Sequence, residues 1–325
     1  MTKKNSWIVT GIASLVIILT LMWATSSVPA SKSLPTTVRN WHATIEQSTS
    51  TKVLQVVAAE NFWGSLISQL GGSHVQVVSI VSDPNADPHE YETNTTNARQ
   101  IAEADYVIVN GAGYDSWADK LLSAGGGSDR SVLNVAQLLG KKEGDNPHFW
   151  YNPDYVNNVV RQMEADLISK DPTDADYFAE QYALVQTRLM KYDQRISEIK
   201  QKFAGTKVAS TEDIFVYLAG AAGLDLVSPP AFIQAVGEGT DPPTASVVTF
   251  EGQLTSKSVK VLVYNEQTTT PLTENVKKIA AQQGIPVVGV TETIQPPDMP
   301  FEDWMDAQVK GLQDALSSTT STRTN

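Results

Sequence analysis

The amino-acid sequence predicts an α/β protein in which two parallel-sheet lobes are joined by one long rigid backbone helix. Short β-rich runs alternate with longer segments of helical character, which is the pattern of parallel strands with crossover helices. The alternation occurs twice, before and after one extended amphipathic segment. With 325 residues, of which 41% are hydrophobic, the chain can bury the cores of two domains.

The N-terminal part of the chain predicts a targeting segment followed by a spacer. Lys3 and Lys4 precede an apolar run over residues 7–24, and small residues come next. This order is typical of a signal peptide, although the run is also near the shortest length that spans a bilayer. We therefore expect residues 1–30 to be a signal peptide or a membrane anchor, and residues 31–51, rich in Ser and Thr, to be a flexible spacer. Either outcome places the rest of the chain outside the cytoplasm, secreted or anchored at the cell surface.

The first lobe is predicted over residues 52–170 and the second over residues 204–316, with a polar tail at 317–325. Each lobe is defined by β-rich runs separated by segments of helical character. The predicted strands of the first lobe are 53–57, 75–81, 106–109 and 131–135. Those of the second lobe are 207–210, 259–264 and 286–290.

The linking helix is predicted over residues 171–203. Asp171 can cap its start and Pro172 suits its first turn. Its apolar side chains recur in steps of four and three, which places them in one stripe along a rod of about 50 Å. A coiled coil is the alternative, but a single stripe between two α/β series favours packing across both lobes. The stripe consists of Phe178, Tyr182, Val185, Leu189, Tyr192, Ile196, Ile199 and Phe203.

Charge and cysteine content exclude several classes of function. The formal net charge is −12, with 36 acidic residues and no offsetting basic stripe, so a nucleic-acid backbone would be repelled. A cation is the partner that this sign favours. The absence of cysteine excludes disulfides, thiolate metal ligands, cysteine nucleophiles and attachment as a lipoprotein.

Two of the four histidines are candidate metal ligands. His89 and His148 each follow a proline in a polar loop, and the proline restricts the backbone that presents the imidazole. A solvated loop side chain is the alternative for each of them. His42 in the spacer and His74 in a short turn are expected to be surface residues.

Two carboxylates occupy matching places in the second lobe. Glu212 and Glu292 each follow the end of a predicted strand, and ligands of open parallel sheets bind beyond these ends. Together with the two histidines they would form a nitrogen and oxygen site suited to Mn(II), Fe(II) or Zn(II). The alternatives are an acid at a helix N-terminus for Glu212 and a surface turn residue for Glu292.

The ordered set of motifs resembles a known family. From about residue 52 to 316 the chain is similar to the metal-specific solute-binding proteins of bacterial ABC importers, the zinc and manganese group with a rigid backbone helix. The resemblance is carried by Asp87-Pro88-His89-Glu90, by Ala104 to Gly111 leading to Trp117, by Asn146 to Pro153, by Ser210 to Ala219 and by the 171–203 helix.

This resemblance implies a function and a ligand set. His89 and His148 would be the ligands of the first lobe, Glu212 would take the third place, and Glu292 falls where members usually carry an aspartate. Zinc-type members commonly have a histidine at the third place, so Glu212 favours Mn(II), with Zn(II) or Fe(II) as other solutes. The bound ion would be delivered to an ABC permease, and the chain would not be an enzyme.

Two other functions stay open at this point. One is an extracytoplasmic metalloenzyme, since two histidines and a glutamate can leave a position for water. Against it, the sequence has no His-Glu-x-x-His helix and no Gly-x-Ser-x-Gly elbow. The other is a surface adhesion or scaffold protein, for which the crevice residues would be incidental.

Overall fold

The computed structural model describes residues 52–84, 91–125 and 130–318. Within these residues, strands alternate with helices twice along the chain, and a long helix lies between the two series. The predicted segments 1–30 and 31–51 and most of the tail lie outside the described part, and the predicted lobe boundaries stay predictions. Among the described helices, none combines the length and the apolar character that a membrane span requires.

The first lobe is built on a four-stranded parallel sheet with the strand order β2-β1-β3-β4. Central strand β1 is almost fully buried, as expected for a parallel sheet covered on both faces. The strands are β1 (Leu54–Glu60), β2 (Val75–Val81), β3 (Tyr106–Val109) and β4 (Ser131–Asn134). The helices of this half are α1 (Asn61–Gly71), α2 (Thr95–Glu103), α3 (Ser116–Ala124), α4 (Val135–Leu138) and α5 (Pro153–Lys170).

The second lobe repeats this plan with the strand order β6-β5-β7-β8, again parallel throughout. Because both sheets are parallel, the carboxyl ends of all strands in one sheet lie at the same edge. The strands are β5 (Lys207–Ser210), β6 (Asp225–Leu226), β7 (Leu262–Asn265) and β8 (Val287–Val290). The helices that follow the long linking helix, α6, are α7 (Val216–Ala221), α8 (Pro230–Gly237), α9 (Thr244–Thr255), α10 (Pro271–Gln282) and α11 (Phe301–Ser318).

The long helix α6 (Ala175–Phe203) joins the two halves and is preceded by a 3₁₀ turn at Pro172–Asp174. It packs against α1 and α5 on one side and against α11 on the other. Its predicted stripe faces the core: the buried members are Phe178, Val185, Leu189, Tyr192, Ile196 and Ile199. These side chains belong to one apolar cluster that includes residues of both sheets. The helix therefore packs on both lobes, as the single stripe predicts.

The predicted fold class is confirmed, and most predicted strands occur where expected. Strand β1 extends three residues further than predicted, to Glu60, whose partner in β2 is Val81. Strand β7 spans Leu262–Asn265, and just before it Lys260 and Val261 already form backbone hydrogen bonds with Lys207 and Ala209 of β5. The two-residue edge strand β6 was not predicted, since so short a run carries no periodic signal.

Candidate metal site

A group of buried polar side chains lies where the carboxyl ends of β5, β7 and β8 meet the loop before α5. His148, Glu212 and Glu292 are each 0% exposed, so none of them is a surface loop residue. Burial of charged side chains at this depth is costly unless they are paired or bind a cation. The arrangement therefore makes this group a candidate cation site.

The loop that carries His148 is tied to both lobes. The Asn110 amide, at the end of β3, donates to the carbonyl of Pro147 at 2.9 Å. From the second lobe, the Tyr217 hydroxyl donates to the carbonyl of Asn146 at 2.9 Å. The Asn146 amide in turn donates to the carbonyl of Asp213 at 2.7 Å. These bonds hold the histidine at the boundary between the two sheets.

The hydrogen bonds around the His148 imidazole set its orientation. Nδ1 lies 3.0 Å from Asn146 Oδ1 and 3.4 Å from Asp213 Oδ1, both of which are acceptors. On the opposite side, Nε2 lies 3.5 Å from Glu212 Oε1 and 3.8 Å from Glu292 Oε2. A proton on Nδ1 leaves the Nε2 lone pair directed at the two carboxylates, which is the tautomer that a metal ligand needs.

One asparagine fixes both glutamates. The Asn265 amide at the end of β7 donates at 2.8 Å to Glu212 Oε2 and at 2.8 Å to Glu292 Oε1. Like-charged carboxylates repel, and this shared donor offsets part of the repulsion. The bonds direct Glu212 Oε1 and Glu292 Oε2 toward His148.

Glu292 also binds the first lobe. The Tyr114 hydroxyl donates to Glu292 Oε2 at 2.7 Å. Two residues further, the backbone N–H and carbonyl of Ile294 bond to the Asn61 side chain at 3.0 and 3.3 Å. The loop that bears Glu292 is thus attached to the first lobe at two places.

The backbone turn that carries Tyr114 is held by the buried Asp115 side chain, which lies next to the buried Glu60. Asp115 accepts from the backbone N–H groups of Asn110 at 2.6 Å and Gly111 at 2.8 Å. Gly111 has φ +77° and faces the Asn134 side chain so closely that a Cβ would clash. Burial raises the pKa of Asp115 to about 6, although these backbone donors lower it. Burial, followed by repulsion from Asp115, raises the pKa of Glu60 well above its usual range.

A cavity of about 700 Å³ opens beside the site. Among its lining residues, Tyr114, His148 and Thr268 belong to the site itself or lie next to it, and Asp213 adds a carboxylate to the same wall. Gly237 also lines it, and a Cβ there would lie 2.7 Å from Asp213 Oδ1. A small cation can therefore approach between the lobes past acidic side chains.

The structure brings together three of the four predicted site residues. His148, Glu212 and Glu292 converge, whereas His89 lies outside the described residues. The role of these four residues as metal ligands stays a prediction. Sequence reasoning missed Asn265 and Tyr114, and it did not single out Asp213, whose carboxylate could join His148 and Glu212 in holding an ion. The one available signal was the placement of Asn265 and Glu212 after strands of the same sheet.

A second group of potential ligands lies at the start of the linking helix. His74 Nδ1 is 2.9 Å from Asp174 Oδ2, and Asp171 is close enough to complete a three-ligand group. The side chains of His74 and Asp174 are 18% and 24% exposed, so His74 is partly buried against a carboxylate rather than a plain surface histidine. Its imidazole serves below as a control.

Comparison with known proteins identifies relatives of this chain. The family model described as zinc-uptake complex component A, periplasmic (ZnuA), matches residues 56–315. The manganese ABC transporter substrate-binding lipoprotein PsaA of Streptococcus pneumoniae is 27% identical over 222 residues, which cover 61% of this chain and 67% of PsaA. The iron ABC transporter substrate-binding lipoprotein MtsA of Streptococcus pyogenes serotype M1 is 28% identical over 234 residues, covering 62% of this chain and 71% of MtsA.

A solved structure has the same fold. The periplasmic zinc-binding protein TroA from Treponema pallidum superposes with a TM-score of 0.69 at 14% identity, covering 82% of this chain and 99% of TroA. The curated relatives are matched over about two thirds of their own length. These matches confirm the resemblance to metal-specific solute-binding proteins that the motifs indicate.

Proposed function

The chain belongs to the periplasmic zinc-uptake complex component A family, and from this premise we propose that it captures a divalent transition-metal ion outside the cytoplasm and delivers it to the permease of an ABC importer. The ion is the transported solute and not a resident cofactor. It binds in the cleft between the two lobes, at the carboxyl ends of the strands of the second sheet.

The observation that carries this proposal is the convergence of one buried imidazole nitrogen and two buried carboxylates. His148 Nε2 lies within 3.8 Å of oxygens from both Glu212 and Glu292. We propose these three residues as ligands and His89 of the first lobe as the fourth. Two neutral imidazoles and two carboxylates neutralise a divalent cation, which offsets the cost of burying the charges.

The proposed solute is Mn(II) first, with Zn(II) or Fe(II) as other possibilities. Two oxygen ligands beside two imidazoles suit all three ions. The third place holds a carboxylate, that of Glu212. An oxygen ligand there favours Mn(II) over Zn(II), whose sites are softer and richer in nitrogen. Relatives whose names specify manganese and iron support the same range.

Members of this family are substrate-binding proteins and not enzymes. We infer that this chain likewise catalyses no reaction and that its partner is the importer permease. The protein is extracytoplasmic, because its family is described as periplasmic and its relatives include substrate-binding lipoproteins. Attachment to the membrane through residues 1–30, with residues 31–51 as the spacer, is part of the proposal.

Metal titration of the stripped full chain tests the function. Wild-type protein is expected to bind one equivalent of Mn(II), and to gain about 2.7 kcal/mol of stability at a free concentration of one hundred times Kd. His148→Ala is expected to lose at least about one hundredfold in affinity, because even the outer partners of metal ligands contribute ten- to hundredfold. Calorimetric titration and thermal unfolding measure both effects.

His74→Ala is the matched control, since His74 also faces a carboxylate but lies away from the cleft. It is expected to bind Mn(II) as the wild type does. Wild-type affinity in His148→Ala would contradict the proposed site. A wild-type chain that shows neither binding nor a metal-dependent rise in melting temperature would favour a scaffold protein. An exchangeable water on the bound ion, together with hydrolytic activity, would favour a metalloenzyme.

A further inference from the structure

Tyr114 reaches from the first lobe to the carboxylate pair of the second, as His148 does. It follows the Gly111–Gly113 turn after β3 and is 5% exposed. Its ring packs at 5.2 Å from Trp150 and 6.5 Å from Phe62, measured between ring centroids. With Asp115 fixing the same turn, the hydroxyl has a position set by its own lobe.

The Tyr114 hydroxyl bonds to the Glu292 oxygen that faces the His148 imidazole. Tyr114 donates to Glu292 Oε2 at 2.7 Å, and Oε2 is the Glu292 oxygen 3.8 Å from His148 Nε2. The other oxygen, Oε1, accepts from Asn265 at 2.8 Å. Since each oxygen of the carboxylate accepts a hydrogen bond, the plane of the group is fixed from both lobes.

We propose that Tyr114 is a positioning residue that presents one oxygen of Glu292 to the metal ion, and that it makes this presentation depend on contact between the lobes. The inference rests on the proposed function and deepens it. Glutamate has one more rotatable bond than the aspartate usual at this place, so its carboxylate samples more directions unless it is restrained. The Tyr114 hydroxyl and the Asn265 amide supply the restraint.

Tyr114 also affects how many oxygens of Glu292 can bind the ion. A carboxylate chelates an ion through both oxygens only if both are turned toward it. Asn265 and Tyr114 hold Glu292 with Oε1 turned to the amide and Oε2 turned to His148, which favours ligation through one oxygen. Loss of the hydroxyl leaves Oε1 bound to Asn265 but removes the restraint on Oε2, and with it a hydrogen bond that joins the two lobes.

The test is Mn(II) titration of the metal-stripped full chain carrying Tyr114→Phe. A hydrogen bond to a charged group of this kind corresponds to about a tenfold to hundredfold change in affinity. We expect Mn(II) to bind Tyr114→Phe weaker by that factor and to leave faster when a chelator is added, since such losses act mainly on dissociation. The melting temperature of the metal-free variant is measured alongside to show that it folds.

Tyr106→Phe is the matched control. Tyr106 is a buried tyrosine of β3 in the same lobe, and its hydroxyl donates to Asp166 Oδ2 at 2.6 Å, away from the cleft. The same atom is removed from the same kind of tyrosine–carboxylate bond. Tyr106→Phe is expected to change stability but to bind Mn(II) with wild-type affinity.

A double-mutant cycle separates positioning from a general structural effect. In the Glu292→Ala background, Tyr114→Phe is expected to have no further effect on Mn(II) affinity, because the group that it positions is gone. An equal loss in both backgrounds, or wild-type affinity in Tyr114→Phe alone, overturns the inference while leaving the proposed function intact. Failure of the wild type and of Tyr106→Phe to bind Mn(II) overturns the proposed function and this inference with it.

Discussion

Glu212 and Glu292 occupy equivalent places at the ends of β5 and β8, yet their surroundings differ. Both are fully buried and both accept from the Asn265 amide. The Ser210 hydroxyl of the second lobe donates to the Glu212 carbonyl, and Asn146 of the first lobe donates to the carbonyl of the next residue, Asp213. Glu292 accepts in addition from Tyr114 across the cleft, and its loop is bound by Asn61.

The difference shows that two equivalent carboxylates can be oriented by different parts of the molecule. The Glu212 carboxylate accepts from Asn265 of its own lobe. The Glu292 carboxylate accepts from Asn265 and also from Tyr114 of the first lobe, so its orientation depends on contact between the two lobes.

The largest effect is expected where the two glutamates share a donor. Asn265→Ala leaves two buried carboxylates without their common amide, which should lower the free energy of unfolding of the metal-free protein by about 4 kcal/mol. Saturating Mn(II) should restore part of this loss, because the cation replaces the missing positive dipole. Denaturant unfolding with and without metal measures both values.

Asn275→Ala is the control for this change, since the Asn275 amide bonds to Glu251 at 2.8 Å on the exposed surface. It should alter stability by less than about 0.5 kcal/mol. An equally small effect of Asn265→Ala would mean that the amide does not hold the pair.

Removal of each carboxylate in turn tests whether Glu212 and Glu292 differ in their link to the first lobe. Glu212→Ala and Glu292→Ala should both weaken Mn(II) binding by at least about one hundredfold, because each removes a proposed ligand. Only Glu292→Ala removes the acceptor of Tyr114, so only this variant should speed amide hydrogen exchange in residues 111–114 of the metal-free protein. Equal exchange in the two variants would show that Glu292 has no special link to the first lobe.

A smaller effect is expected from the acids beneath the Tyr114 turn. The folded-state pKa values of Glu60 and Asp115 lie above their unfolded values near 4, and that of Asp115 is about 6. The stability that these groups contribute is therefore complete below pH 4 and is lost as pH rises through their raised folded-state values, which for Asp115 is about 6. Glu60→Gln removes one titrating group, so its advantage in unfolding free energy over the metal-free wild type should grow between pH 5 and pH 7.

Unfolding free energies of the metal-free proteins at the two pH values measure this difference. Glu103→Gln, which changes an exposed glutamate of the same lobe, should follow the wild type at both. A Glu60→Gln variant whose advantage does not grow with pH would mean that folding does not raise the pKa of Glu60.

Much of the fold follows from sequence because its signals are local. The stripe from Phe178 to Phe203 and the β-rich runs each depend on periodicity within one segment, and these elements occur in the structure. Strand order and the two-residue strand β6 depend on pairing between distant segments, which no local pattern encodes.

The residues of the candidate site also differ in whether a local sequence signal predicts them. Proline before His148 and strand ends before Glu212 and Glu292 are visible in sequence, so these residues could be predicted. The contacts of Asn265 and Tyr114 with Glu292 join residues 27 and 178 positions apart along the chain, and the second of them crosses between the lobes, so no local pattern predicts either. The general chemistry could be predicted, whereas the bonds that orient it could not.

Helix α6 gives the molecule one apolar cluster that extends into both halves. A chain with two separate cores would melt in two steps, each half at its own temperature. Each half also has a smaller cluster of its own, but neither half can lose its share of the common cluster without exposing that of the other. The described part of the chain is therefore expected to denature as a single cooperative unit, with one calorimetric peak whose van't Hoff and calorimetric enthalpies agree.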